Sequence, residues 1–407
     1  MRKLDLNNIQ VATSETARDI NRRVVLNLIR SRQPISRADL ARSSGLQRST
    51  VSAITEQLIA ERWVREGAVG QLPRGRKPTF LHLNAERAAV LGVNLRPIRT
   101  DVALTDLSGR FLAQQSFATS DQPKEFIAEL SRCLRTMIKA QRGIEYEGIG
   151  ISVPGRVDPR TQRLIFAPNL QWGEVDLKTP LEKATGLSVE LENAATACAL
   201  AELWFGTQTE GARNFAIVTI SEGIGVGLVV NGERVRGASG LAGEFGHIAL
   251  HESGPRCQCG NYGCWELFAS NTAALEFYRQ AQLSLRNGRR SGKREVLATD
   301  TVPTTTIEEL LRLVEQGDAP ALAAVQQMAQ HLGQGLAMVI MALAPEVILL
   351  IGEITTAWAQ IEPILRAEVQ TRCRVPRLPR LVPSDHQTQP RLRGAVALIL
   401  QKHFGLP

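Results

Sequence analysis

A chain of 407 residues is long enough for about three ordinary domains, and its net charge of +8 sits wholly in residues 1–84, where 15 Lys and Arg meet 7 Asp and Glu. The rest of the chain is balanced at 33 of each sign, so a basic module on a neutral body points to a polyanionic partner, with nucleic acid the leading candidate. No apolar run reaches membrane-spanning length, because "GLAMVIMALAPEVILLIG" is broken by Pro345 and Glu346, and the N-terminus lacks the apolar core of a secretion signal; the chain is expected to be cytoplasmic, without membrane insertion, where structural disulfides are rare.

Three helices are expected first. Val24, Val25, Leu28 and Ile29 form a helical apolar stripe that ends before Pro34. In "SRAD", Ser36 is placed as the N-cap of a short second helix, with Asp39 three residues on in the manner of a capping box, and that helix stops at Gly45. "LQRSTVSAITEQLIAE" follows, with Val51, Ile54, Leu58 and Ile59 facing inward. Two short helices across a glycine turn make a helix-turn-helix, whose second helix enters the major groove of double-stranded DNA by its N-terminal end. Gln47, Arg48, Ser49, Thr50 and Ser52 are the side chains presented there. A two-stranded wing is expected next, and its tip "PRGRKP" offers Arg74, Arg76 and Lys77 to a narrow minor groove. The alternative is a solvated three-helix bundle with a charged loop, against which the helix pattern, the wing and the charge asymmetry agree.

From about residue 85 the texture changes to strand triplets interleaved with helices. "AAVLGVNLRPIRTDVALTDLSGRFLAQQSF" and "FAIVTISEGIGVGLVVNGERV" each read as strand–turn–strand, "YEGIGISVPGRVD" as a buried strand, and "PEVILLIGEI" as a late apolar strand behind a long helix. The pattern predicts an α/β body of two lobes with a cleft between them. Within it, "CQCGNYGCWE" packs three of six cysteines into eight positions, ten residues after His247. Three thiolates and one imidazole suit a closed tetrahedral zinc site, while a cysteine-only reading (buried thiols or a redox pair) stays open. Cys133, Cys198 and Cys373 are isolated and read as packing residues.

The order of "LGVNL…DVALTDLSG", "GIGISVPGRVD", "PNLQW", "LENAATACALAE", "GIGVGLVVNGERVRGASGLAGEFGH", "CQCGNYGCWE" and "PEVILLIGEI" resembles the ROK family of repressors and sugar kinases over roughly residues 88–400. With the DNA-binding module in front, the chain is similar to the family's sugar-responsive repressors of the Mlc, NagC and XylR type. The resemblance implies an N-terminal winged helix-turn-helix (1–84) followed by a two-lobed actin-like ATPase (ribonuclease H-like) body. The lobes would be 85–195, completed by 381–407, and 196–380. It also implies one structural Zn2+ per chain on His247, Cys257, Cys259 and Cys264, and a sugar or sugar-phosphate effector held by Asn169, Asn193, Glu244, His247 and Glu266.

Phosphoryl transfer by the family's kinases needs two phosphate loops and a carboxylate base. The first loop here is "NLRPIRT", with Asn94 for the acid and Arg96, Pro97 and Ile98 for small residues. The second is "SEGIGVG", with Glu222 where a phosphate would bind, and "LENAATA" has Ala194 in the place of the base. The expectation is therefore no catalytic residues and no enzyme activity: a dimer, or a dimer of dimers, that represses carbohydrate genes. The alternatives are a sugar kinase with an added DNA-binding domain and a repressor controlled by a phosphotransferase-system permease.

Overall fold

The structure is a computed structural model that describes residues 14–69, 78–141, 143–237, 240–289, 305–385 and 388–404. Its first helix, Ser14–Arg32, is followed by the pair Arg37–Ser44 and Arg48–Ala60. The capping box forms as the sequence suggests. Ser36 Oγ accepts from the Asp39 backbone N–H at 3.2 Å, Asp39 accepts in return from the Ser36 backbone N–H, and Gly45 closes the helix. Thr55 joins Val51, Ile54 and Leu58 on the buried face of the third helix, whereas Ile59 is only half-buried. The wing strands Val64–Val69 and Thr79–Leu83 are antiparallel, and the two residues Ile35–Ser36 add a third strand beside the latter. Arg74, Arg76 and Lys77, on the expected wing tip, lie outside the described residues.

Each lobe of the body holds a five-stranded mixed sheet of one pattern: a three-stranded antiparallel meander, then two parallel strands. In the first lobe the spatial order is Val189–Asn193, Glu145–Val153, Ala88–Leu95, Arg99–Asp106, Phe111–Ala118. In the second it is Glu233–Arg234, Ile224–Val230, Phe215–Ile220, Val347–Ile351, Arg380–Pro383. The strands beside the parallel crossovers are buried along their whole length, and almost wholly apolar, because both faces are covered. The architecture is thus α/β, a winged helix-turn-helix followed by a two-lobed body. Two helices lie between the sheets, Ala194–Phe205 and the C-terminal Pro390–Phe404. The latter packs backbone to backbone on the first sheet: a Cβ added to Gly150 would stand 1.7 Å from the Ala395 carbonyl oxygen. Arg380–Pro383 is hydrogen-bonded into the second sheet, and the chain returns to the first lobe only beyond it.

The winged module does not float on a tether. Val25, Leu26, Ile29, Leu40, Leu58 and Trp63 share one core with Val396, Ile399, Leu400 and Phe404 of the C-terminal helix. Trp63 meets Phe404 edge to face at 5.7 Å and His403 at 4.8 Å, with the Arg87 guanidinium 4.1 Å over its ring. Arg30 lies 4.3 Å over Trp204, and its burial lowers its pKa to about 10. Trp63→Ala is expected to cost about 3–5 kcal/mol by opening a cavity at this junction. Urea denaturation of the full chain checks it; an unchanged midpoint would show that the module is not docked on the body.

Candidate functional site

The exposed face expected to meet DNA follows from the packing of the third helix. With Val51, Ile54, Thr55 and Leu58 turned inward, Gln47, Arg48 and Ser49 stand exposed and Thr50 and Ser52 partly exposed. The structure thus gathers these five residues on one helix end, as the sequence suggests. Consecutive polar side chains at such an end can reach base edges, and the helix N-terminus favours phosphate.

The cysteine cluster forms in the second lobe. His247 ends a short turn of helix (Glu244–His247), and an antiparallel bridge from Ala249 to Cys264 folds the loop back onto it. The ligand atoms of His247, Cys257, Cys259 and Cys264 lie within 4.8 Å of one another. Cys257 Sγ is 3.7 Å from His247 Nδ1, and Cys259 Sγ is 3.7 Å from Cys264 Sγ. A tetrahedron with metal–sulfur bonds of about 2.3 Å has edges near 3.8 Å, so the donor set and its spacing fit a metal ion of zinc's preference. Burial pushes the Cys264 thiol up to about 11 and Cys257 higher still; a divalent cation is the charge that would offset this.

The same histidine edges the cleft between the lobes. There a cavity of about 300 Å³ is lined by all five expected sugar contacts, Asn169, Asn193, Glu244, His247 and Glu266, and by Ala194 and Glu222. His247 Nε2 is 3.6 Å from Glu244 Oε2, and its Nδ1 is 3.4 Å from Glu266 Oε1. Glu266 also accepts from Cys257 Sγ at 3.1 Å, so it borders the thiol cluster as well as the cavity. Gly223 leaves room beside it: a Cβ there would fall 2.6 Å from Glu266 Oε2 and 3.2 Å from Asn169 Nδ2. Asn193 is substantially engaged already. Its Oδ1 caps the helix Ala194–Phe205 through the Ala195 N–H at 2.9 Å, and its Nδ2 donates to the Gly155 carbonyl at 2.9 Å.

Two features of the cleft differ from what the sequence suggests. Glu222 is not a bare carboxylate in a phosphate loop, because Arg96 of the facing loop is 3.4 Å from it and 3.1 Å from Glu353. Burial opposes the Arg96 charge, but Glu222 and Glu353 more than offset it and hold its pKa above the ordinary value; Glu353 is correspondingly lowered, burial being outweighed by Arg96. Arg156 and Arg391 also line the cavity and were not foreseen. Arg156 follows the "VPG" turn and was within reach of motif reading. Arg391 belongs to the C-terminal helix, and nothing local in its sequence marks it.

Comparison with known proteins adds three kinds of finding. The family model for the ROK family matches residues 90–402, and one for an IclR helix-turn-helix domain matches 24–67. The chain is 31% identical over 368 residues to the xylose repressor of Bacillus subtilis (strain 168), covering 89% of this chain and 90% of that one. In three dimensions it resembles a ROK family transcriptional regulator described as a homologue of the Escherichia coli MLC protein, with a TM-score of 0.80, 28% identity and coverage of 96% and 98%. It also resembles a ROK glucokinase from Streptomyces griseus in complex with glucose and AMPPNP, with a TM-score of 0.67 and 26% identity, covering 76% of this chain and 99% of that one.

Proposed function

The chain belongs to the ROK family, and on that premise we propose that it is a sugar-responsive transcriptional repressor: it binds double-stranded DNA through residues 47–52 and senses a sugar in the cleft that holds Asn169, Asn193, Glu244, His247 and Glu266. The single observation that carries this reading is the path of the C-terminal helix. Arg391 near its start lines the sugar cleft, and Val396, Ile399, Leu400 and Phe404 further along form one core with the DNA-binding module. One helix thus borders both the cleft and the surface on which the module sits. A ligand shifts an equilibrium between two lobe arrangements only by its differential affinity for them.

The two relatives matched over nearly their full length are a xylose repressor and a transcriptional regulator, and the glucokinase matches only 76% of this chain. Loss of phosphoryl chemistry is supported by Ala194, which offers no base in the cavity, and by Arg96, which is engaged with Glu222 and Glu353. His247, Cys257, Cys259 and Cys264 are read as the ligands of one structural zinc, which would fix the loop that carries Glu266 against the cleft. We further take the chain to act in the cytoplasm as a dimer, since paired modules read paired half-sites; among the described residues no helix is long and apolar enough to cross a membrane.

D-xylose is the first effector to test, in anisotropy titrations of the chain's own promoter DNA with and without the sugar. Glu244→Ala is expected to leave unliganded DNA binding within about two-fold while raising the sugar concentration needed for its effect roughly ten-fold or more, because a lost hydroxyl partner costs on the order of 1–3 kcal/mol. ATP consumption with any sugar, or operator affinity indifferent to every sugar that binds the cleft, would overturn the reading.

A further inference from the structure

The lobes face each other with opposite charges at a place where the chain does not join them. Arg96 follows the first-lobe strand Ala88–Leu95. Glu222 sits in the hairpin after Phe215–Ile220, and Glu353 just past Val347–Ile351, both in the second lobe. Besides its two contacts with Arg96, this cluster is braced on each side. Asn271 Nδ2 donates to the second oxygen of Glu353 at 2.9 Å, and the Thr119 hydroxyl donates to the Arg96 backbone carbonyl at 2.7 Å. Behind the cluster lies a second cavity of about 520 Å³. Arg96 lines both cavities, Glu222 lines only the sugar cleft, and Glu353 lines only the cavity behind.

We propose that Arg96, clamped between Glu222 and Glu353, is a cross-lobe latch that holds the cleft shut without any ligand, and the wall that limits the sugar chamber to one sugar ring. The latch stands on the geometry alone; the wall rests on the sugar reading above. Two carboxylates share one guanidinium, so removing Arg96 leaves Glu222 without that partner and Glu353 with only Asn271 and the nearby Arg391 charge, which costs more than the loss of a surface pair. The three side chains are 27%, 29% and 24% exposed. At that depth the attraction survives water but is weakened by salt. The chamber of about 300 Å³ lies at the small end of ligand sites. Arg96 and Arg391 both line the two cavities, and Arg96 is the one of the two that the cross-lobe carboxylates hold in place.

Amide hydrogen exchange of the full-length protein tests the latch, with residues 95–98, 221–223 and 352–355 as reporters and the helix 48–60 as the control for folding. Arg96→Ala is expected to speed exchange in the three reporters by about ten-fold or more and to leave the control unchanged. Arg96→Lys, which keeps the charge and loses the planar fork, should fall between. Salt near 1 M should move the wild type toward Arg96→Ala and leave that variant where it is. Glu222→Gln combined with Glu353→Gln removes the bridge without removing bulk and should reproduce the effect; it decides alone if Arg96→Ala also loosens the control helix. Unchanged reporters at low salt, or the same salt response with and without Arg96, would overturn the latch.

Calorimetry with D-xylose and with its disaccharide xylobiose tests the wall. The wild type should take the first and refuse the second, and Arg96→Ala should gain the disaccharide. Refusal by both proteins overturns the wall. A wild type that takes neither sugar overturns the wall and speaks against D-xylose as the effector, while the latch is judged by the exchange data.

Discussion

Arg48→Glu is expected to lower affinity for operator DNA on the order of 10²- to 10³-fold without changing the melting temperature. Arg48 opens the helix Arg48–Ala60 and is exposed, while Val51, Ile54, Thr55 and Leu58 anchor the opposite face. A well-placed guanidinium on a guanine is worth about 1–3 kcal/mol, and a carboxylate in its place adds repulsion from the phosphates. Arg48→Ala should therefore lose less, roughly 10- to 100-fold. Anisotropy titrations at several salt concentrations read both, and the charge reversal should also flatten the salt slope if the guanidinium neutralises phosphate. Full affinity in Arg48→Glu would move the DNA-binding surface elsewhere. A point substitution is the cleaner test than removing residues 1–84, because that truncation strips Val25, Leu26, Ile29 and Trp63 from Val396, Ile399, Leu400 and Phe404 and lays the C-terminal helix open to water.

Cys264→Ser is expected to remove the metal and to lower the melting temperature by about 10 °C. Cys264 is fully buried, and its Sγ forms one edge of the cluster with Cys259. A serine hydroxyl stays protonated and does not replace a thiolate. Structural zinc contributes apparent binding free energies of about 10–16 kcal/mol in small domains, and loss of even three or four kcal/mol in a lobe of this size shifts melting by several degrees. The adjacent Trp265 spreads the effect: its ring is fully buried against the long helix Ala319–Leu343, and its Nε1 donates to the His331 carbonyl at 3.0 Å. The wild type should carry about one zinc per chain by elemental analysis, and a strong chelator should bring its melting to that of the variant. Protein that purifies without metal and melts unchanged would remove the structural-zinc assignment.

The legible parts of this chain were those written in local physics. Ser36 with Asp39, the stop at Gly45 and the apolar period of Val51, Ile54 and Leu58 give the helix-turn-helix from nearest neighbours alone. The cleft residues were legible in a weaker sense, through motif order: five polar residues between Asn169 and Glu266 do converge on one cavity. The strand Ile35–Ser36 was not legible, because two residues carry no periodicity and form a strand only where Leu81 and Phe80 arrive to pair with them. Nor did the sequence say that Asn193 would spend its side chain on capping a helix and tying Gly155.

Chemistry and its order are written along the chain: a basic module ahead of a neutral body, three thiols and an imidazole in one segment, and an alanine where a base would be needed. Which distant groups meet depends on the packing of the lobes. Arg96 and Glu222 each read as a defect in its own loop, yet they and Glu353 form one bridge between the lobes. Arg391 reaches the cleft because the helix Pro390–Phe404 returns to the first sheet, and that helix builds the DNA-binding module into the core of the body. Periodicity and capping act over three or four residues. Ion pairs and hydrogen bonds across 126 and 377 positions depend on how the domains pack, and no local pattern encodes that distance.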